Sequence, residues 1–388
     1  MKVAWITSDD RETWRRYDLR EPVFGTAPAA VLQGLATIPD LEVHVLSCIQ
    51  KPVQSPEKLA SNIWFHSLRV PKLGWLRSGY FGCIRAVRKK LRALGPDVVH
   101  AQGTERDCAI SGVFSGFPHL LTIHGNARRL AALHHARPLS FGWLAARLEG
   151  FVLPRTDGIL CITHHTLELV RRDARRTWVV PNAVDGRFFD VMAAPSLETN
   201  LLCVGTVCSH KNQNQLIRAL DPIANTRRFN LVFLGGVNRN EPYGREFLDL
   251  VAQRPWCRFP GFADRATIEA TLQTATMLVL PSLEDNCPMV VLEAMAAGVP
   301  VVAAKIGGLP DLIEEDVTGL FCDPNEPASI REAVVRLLDR PDWARHLASQ
   351  AKARARLRFH PEVIARRHVE IYREILAPPG GGAGARPV

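Results

Sequence analysis

The sequence has no apolar run approaching the roughly 18 residues that a membrane-spanning helix needs. Its nine cysteines are odd in number and contain no CxxC pair, and several stand inside apolar stretches. That pattern argues against a disulfide framework and against a zinc site, and fits small buried hydrophobes. The glycine fingerprint of dinucleotide folds is missing too: Met1–Asp10 has no glycine, and Gly205-Thr206-Val207-Cys208-Ser209 has one. A nicotinamide dehydrogenase is thereby disfavoured. No DxD triplet and no histidine cluster offer themselves to a divalent metal. What is present is 47% hydrophobic and 22% charged residues, the composition of a folded globular chain and not of a disordered or collagen-like one. At 388 residues, one core is too few and two domains are expected. The opening Met1–Thr7 turns polar at Ser8-Asp9-Asp10 before a signal-peptide core could form, so it reads as a buried strand and a cytoplasmic location is expected.

Short Val/Ile/Leu runs alternate with amphipathic stretches, the pattern of βαβ units around parallel sheets. Strands are expected at Val3–Thr7, Val43–Ser47, Asp97–Ala101, His119–Ile123, Gly158–Ile162 and Trp178–Val180, with helices such as Ala27–Leu35, Phe81–Leu94 and Phe141–Leu153 between them. Pro181-Asn182-Ala183-Val184-Asp185-Gly186 breaks the pattern, and a loose stretch runs on to Thr199 as a hinge. A second series follows at Leu201–Gly205, Leu231–Gly235, Met277–Pro281, Val299–Ala303 and Gly319–Cys322. The expected fold class is α/β, with two doubly wound parallel-sheet domains facing across a cleft. The boundaries read as 1–182, 183–359, a last helix 360–376 that packs back on the first domain, and a disordered Gly/Pro tail 377–388. Acidic runs Asp9-Asp10 and Glu314-Glu315-Asp316 read as solvated loops.

The segment from Pro281 to Pro300 is the richest in chemistry. A strand ends at Pro281, a polar loop Ser282-Leu283-Glu284-Asp285-Asn286-Cys287 follows, and a helix begins near Pro288. Proline in a first helical turn and glycine (Gly298) just past the end are both well placed. The open N–H groups of such a helix start suit an anion, phosphate above all. Acids beside that site would repel phosphate, so they make better acceptors for sugar hydroxyls. The plainer alternative has Asp285 or Asn286 capping the helix and Glu293 as an exposed helical residue.

This segment resembles the signature of the family-four retaining glycosyltransferases, nucleotide-sugar enzymes of the GT-B fold. Glu293-Ala294-Met295-Ala296 and Gly298-Val299-Pro300 match closely, while Asp285, preceded by Glu284, stands where the family has its first glutamate. The resemblance implies that Glu293 holds the ribose hydroxyls and that Asp285, with Glu284, contacts the transferred sugar. It places Asn286 and the backbone of Met289 and Val290 near the diphosphate. Leu202–Asn212 resembles the family's strand and loop bearing two cations; Lys211 matches the second, and Thr206 replaces the first, an arginine. His124, ending His119–Ile123, matches a histidine that lies against the donor, and Gly25 falls in the loop where the family brings glycine backbone to the diphosphate. Pro181-Asn182-Ala183-Val184-Asp185 resembles the element at the domain junction. The implied function is retaining transfer of a hexosyl unit from a nucleoside diphosphate sugar, UDP- or GDP-linked, to a glycan, lipid-linked or small-molecule acceptor, with no cofactor or metal. The first domain would bind acceptor and the second donor. His124, Asp285 and Lys211 are the candidate catalytic residues. A sugar-nucleotide epimerase of the same fold and a non-catalytic nucleotide- or glycan-binding relative stay open, because Thr206 and Asp285 depart from the pattern.

Charge is uneven. Residues 1–190 hold 26 Lys and Arg against 17 Asp and Glu, whereas the remainder holds 22 of each, so the net +9 belongs to the first half. Arg85, Arg88, Lys89, Lys90 and Arg92, downstream of Trp75, Tyr80 and Phe81, suggest either peripheral contact with anionic membrane or an ordinary helix with a wet basic face. No motif for nucleic acid accompanies them.

Overall fold

The computed structural model describes residues 1–192, 194 and 198–377. The tail expected at 377–388 therefore falls, from 378 onward, outside the described residues, as do 193 and 195–197 of the expected hinge. The chain forms two compact units. One comprises Met1–Ala183 with the last helix Pro361–Leu376, and the other Val184–His360.

In the first unit the strands are β1 (Lys2–Ile6), β2 (Glu42–Ile49), β3 (Lys58–Ala60), β4 (Ile63–Arg69), β5 (Val98–Gln102), β6 (His119–Ile123), β7 (Gly158–Cys161) and β8 (Thr177–Val179). They form one sheet in the order β3-β4-β2-β1-β5-β6-β7-β8, parallel throughout except for the antiparallel edge strand β3. Central strands carry continuous apolar runs because helices cover both faces. In β1, Val3, Ala4, Trp5 and Ile6 are all buried, with Val3 opposite Val43 on one side and Val98 on the other.

The second unit holds β9 (Asn200–Val204), β10 (Asn230–Leu234), β11 (Cys257–Gly261), β12 (Met277–Leu280), β13 (Val301–Ala304) and β14 (Leu320–Cys322). Their order is β11-β10-β9-β12-β13-β14, all parallel. Chain order reverses between β9 and β12 here, and between β1 and β5 in the first sheet. Doubly wound sheets bind their ligands outside the carboxyl ends of the strands at such a reversal. Among the described residues no helix is long and apolar enough to cross a membrane.

Strands β3, β4 and β11 escape the sequence reading for physical reasons. In Ile63–Arg69, His66 and Ser67 interrupt the apolar run, and in Cys257–Gly261 the proline Pro260 sits in the sheet's edge strand, where a missing N–H is tolerated. The reading of Asp9-Asp10 as a solvated loop is corrected. Asp9 is 2% exposed and caps a short helix, Asp10–Trp14, by accepting from the Arg11 amide at 3.0 Å. Its carboxylate also takes a forked bond from the fully buried Arg11 guanidinium, at 3.0 and 2.6 Å. Pairing of this kind is what permits a charge to be buried.

The last helix packs on the helix Thr26–Leu35 through a close backbone approach. A Cβ on Gly34 would lie 2.1 Å from the Pro361 carbonyl oxygen and 2.9 Å from Ala365 Cβ. Gly34→Ala is expected to destabilise the protein by about 1–3 kcal/mol, the range for overpacking. Gly25→Ala, whose nearest neighbour would be Pro28 Cδ at 3.7 Å, is expected to change stability by less than about 0.5 kcal/mol. Urea unfolding of both variants checks the contrast.

Candidate active site

In the second unit, three loops at the carboxyl ends of β9, β12 and β13 are tied together through Asp285. Lys211, ending the turn Ser209–Lys211 after β9, donates its ammonium to Asp285 Oδ2 at 2.5 Å. Ser282 Oγ donates to the same oxygen at 3.2 Å, and the Asn286 amide donates to Oδ1 at 3.1 Å. The Asp285 carbonyl accepts from the Gly308 amide at 3.2 Å, and neighbouring Gly307 has a left-handed backbone, with φ 53°. A Cβ at Gly307 would fall 1.9 Å from that carbonyl, so only glycine fits the approach. The Leu283 amide donates to the His210 carbonyl at 2.7 Å, a further link between the β9 and β12 loops.

The helix that follows, Met289–Ala297, has Pro288 at its N-cap and no capping side chain. Capping by Asp285 is thereby overturned, because its carboxylate turns to Lys211 instead. The amides of Val291 and Leu292 bond back to the Pro288 carbonyl at 3.1 and 3.4 Å. Those of Met289 and Val290 have no partner among the described residues and remain for an anion. Thr206 is exposed, and its carbonyl accepts from Gln213 Nε2 at 3.0 Å, so the position contributes backbone and no cation. Glu284 is half-buried beside Asp285.

Glu293 is 3% exposed, which overturns its reading as a solvated helical residue. Burial pushes its carboxyl up to about 7; the nearby Arg265 guanidinium opposes that rise and Asp185 adds to it. Arg265 Nη2 lies 3.6 Å from Glu293 and 3.5 Å from Asp185, with its guanidinium 5.3 Å from the centre of the Phe188 ring. Sequence reasoning missed Arg265, which sits at the start of an unremarkable amphipathic helix, Arg265–Thr274, 28 residues from Glu293. No spacing rule could have paired them.

In the first unit, His124 Nε2 and Gln102 Oε1 are 2.9 Å apart, and Gln102 Nε2 lies 3.1 Å from His100 Nε2. His100 also bonds Thr122 at 2.7 Å and, through Nδ1, the Tyr372 hydroxyl at 2.8 Å. The amide of Gln102 orders the chain: its oxygen accepts a hydrogen bond from His124 Nε2, and its NH2 donates to His100 Nε2. Burial lowers His124 to about 4, against a hydrogen bond with the Asn182 side chain that raises it. His124 is therefore a neutral imidazole at pH 7. Asn182, from the Pro181–Asp185 element, thus joins a residue that sequence reasoning treated separately.

Two further groups escaped it. Glu105, held up in pKa by burial, has its carboxylate 2.6 Å from where a Cβ of Gly103 would be and 3.3 Å from that of Gly125. Glu149, fully buried, accepts from Thr104 Oγ1 at 2.8 Å and from the Ala127 amide at 2.8 Å, pinning the loops after β5 and β6. Gly25 begins the helix Thr26–Leu35 with φ −53°, a conformation any residue adopts. Cys48, Cys83 and Asp107 place potential ligand atoms within 4.8 Å of one another, all buried, from widely separated sequence positions.

Comparison with known proteins decides the family. The profile of the glycosyltransferase family 4 matches residues 31–187, and that of the glycosyl transferases group 1 matches 187–354. The chain belongs to the GT-B glycosyltransferases of family-four type. An uncharacterised glycosyltransferase of Methanocaldococcus jannaschii is 30% identical over 176 residues, 45% of each chain. The match thus spans less than half of that relative's length. Among solved structures, a sucrose-phosphate synthase of Thermosynechococcus elongatus superposes with a TM-score of 0.77 at 20% identity, covering 97% of this chain and 99% of its own. Anabaena HepE, solved in complex with UDP-glucose, superposes with a TM-score of 0.72 at 17% identity, covering 96% and 100%. These likenesses establish the GT-B fold for this family member. The loops joined by Asp285 lie within the stretch that the group 1 profile matches.

Glu293 supplies a pH test. Its folded pKa lies above the ordinary 4.5, so the native state holds this proton more tightly than the unfolded chain. The stabilisation present below about pH 4.5 is lost as pH rises towards 7. Between these limits the wild type is expected to lose on the order of 3 kcal/mol relative to Glu293→Gln. Urea unfolding of both proteins at pH 5 and pH 8 measures the difference.

Proposed function

We propose that the chain is a retaining hexosyltransferase using a nucleoside diphosphate sugar, with the second unit binding donor and the first binding acceptor. The observation that carries this reading is the Lys211–Asp285 pair, held beside a helix start whose Met289 and Val290 amides are open. A cation, two amide donors and a carboxylate together match a diphosphate joined to a polyhydroxylated ring. Lysine has three donor hydrogens, so Lys211 can keep Asp285 and still reach a phosphate oxygen. Asp285 and Glu284 then accept from sugar hydroxyls, Glu293 from the ribose, and Asn286 lies at the diphosphate. The Anabaena complex with UDP-glucose supports a donor of this class.

Catalysis on this reading is electrostatic. The leaving diphosphate gathers charge as the glycosidic bond breaks, and Lys211 with the helix-start amides stabilises that charge without reorganising. No divalent metal is required, because the protein's own groups supply the positive potential. Burial keeps His124 neutral, so it acts as a hydrogen-bonding imidazole and not as a cation. The acceptor enters on the face the diphosphate leaves, its proton passing to a phosphate oxygen, and configuration is retained.

Two measurements test the proposal. Calorimetry should show Lys211→Ala weakening UDP by about 1.5–3 kcal/mol, the contribution of a charged hydrogen bond, with uridine unchanged. Equal loss for both removes Lys211 from the diphosphate site. Proton NMR of the first product formed from UDP-glucose should show the α-anomer; a β-anomer overturns retention.

A further inference from the structure

The first unit contains a cavity of about 600 Å³ that the donor site does not involve. Its walls come from segments after four neighbouring strands: Arg15 after β1, Lys51 after β2, Lys72 and Arg77 after β4, and Arg106 after β5. It therefore opens at the carboxyl ends of β1, β2, β4 and β5, on both sides of the reversal between β1 and β5, where doubly wound sheets take ligands.

The charge balance is one-sided. Five cations line the cavity against a single carboxylate, Glu12. That carboxylate is already engaged, accepting from the Tyr17 hydroxyl at 3.1 Å and from the Gln50 amide at 2.8 Å. Among the described residues none of the five cations forms an ion pair. Arg106 donates to Thr13 Oγ1 at 3.2 Å and feels Asp10, Glu105 and Asp107 electrostatically, and Lys51 sits 5.2 Å over the Tyr17 ring. By contrast, the buried Arg11 is forked onto Asp9. Four of the five are exposed and their repulsion is screened by water, but together they leave a positive potential over the cavity that favours an anion.

Arg15, with φ 55°, and Tyr80, with φ 65°, are non-glycine residues in the left-handed region, and both line this cavity. Arg15 is the left-handed cap that ends the helix Asp10–Trp14, and Tyr80 stands just before the helix Phe81–Leu94, so both belong to turns that carry the lining. Apolar and aromatic walls complete the site: Trp75, anchored by its indole N–H to the Val70 carbonyl at 3.0 Å, with Leu76 and the exposed Phe141.

We propose that this cavity binds the acceptor, and that the acceptor carries a phosphate or diphosphate group. One carboxylate would leave most of the five cations uncompensated, whereas a group of two or more negative charges with several acceptor oxygens satisfies them, the arginines by forked bonds. The apolar walls take the moiety attached to that group. The inference rests on the reading of the chain as a sugar transferase and specifies its acceptor; the phosphate belongs either to a lipid headgroup or to a soluble phosphorylated sugar.

The test uses the full chain with its donor site filled by saturating UDP. Inorganic pyrophosphate titrated into this complex should still bind, with an affinity that falls as salt rises. The triple variant Lys72→Gln/Arg77→Gln/Arg106→Gln should bind pyrophosphate at least tenfold more weakly while binding UDP as the wild type does, which also shows that it is folded. Sedimentation with phosphatidylglycerol vesicles, against phosphatidylcholine vesicles, separates the sources. Capture of the wild type but not the variant by phosphatidylglycerol assigns a lipid headgroup; no capture, with pyrophosphate binding intact, assigns a soluble phosphate. Absence of both pyrophosphate and vesicle binding, or equal binding by variant and wild type, overturns the proposal. If UDP fails to bind the wild type, the donor reading fails instead, and pyrophosphate titration of the unliganded chain still reports on the cavity.

Discussion

Parallel strands put all their carboxyl ends on one edge, and in the second unit the loops at that edge depend on Asp285 for their arrangement. Its carboxylate takes the Lys211 ammonium, the Ser282 hydroxyl and the Asn286 amide, while its carbonyl takes the Gly308 amide. One residue thereby fixes loops after β9, β12 and β13. Because Asp285 is used in this way it does not cap the helix Met289–Ala297, and the helix start stays open. An open helix start beside a tethered lysine is the feature on which the donor assignment stands.

The two units use the same sheet logic with different electrostatics. In the second, a nearly neutral composition surrounds one cation held by one carboxylate, with Glu293 buried behind it and balanced between Arg265 and Asp185. In the first, five cations gather beyond the strand ends with the one carboxylate of the cavity lining already engaged. A donor of fixed diphosphate chemistry needs few, well-placed groups. A surface with several uncompensated cations is suited to a partner of higher charge.

Much of this was legible in the chain. Apolar runs flanked by amphipathic stretches gave the parallel α/β architecture, since buried strands cannot hide their composition. The resemblance carried by Asp285, Glu293, Gly298 and Pro300 pointed to the loop and helix around which the proposed donor site is built. What stayed hidden depended on tertiary contact. Arg265 meets Glu293 only because separate helices adjoin, and His100, Gln102 and Tyr372 join His124 through a strand neighbour and the last helix. Strand β4 hid behind His66 and Ser67. The Asp9-Asp10 pair misled because a buried Arg11 cannot be told from a solvated one by sequence alone.

Hydrogen–deuterium exchange of the full chain, with and without a saturating nucleoside diphosphate, reads the placement of the donor most directly. Slowed exchange in peptides spanning 205–213 and 282–293 is the expected result, with Glu293→Gln reducing it. Slowing confined to the first unit, or a pattern in which neither of those two segments changes while the nucleotide is bound, would contradict a donor site organised by Asp285 and Lys211.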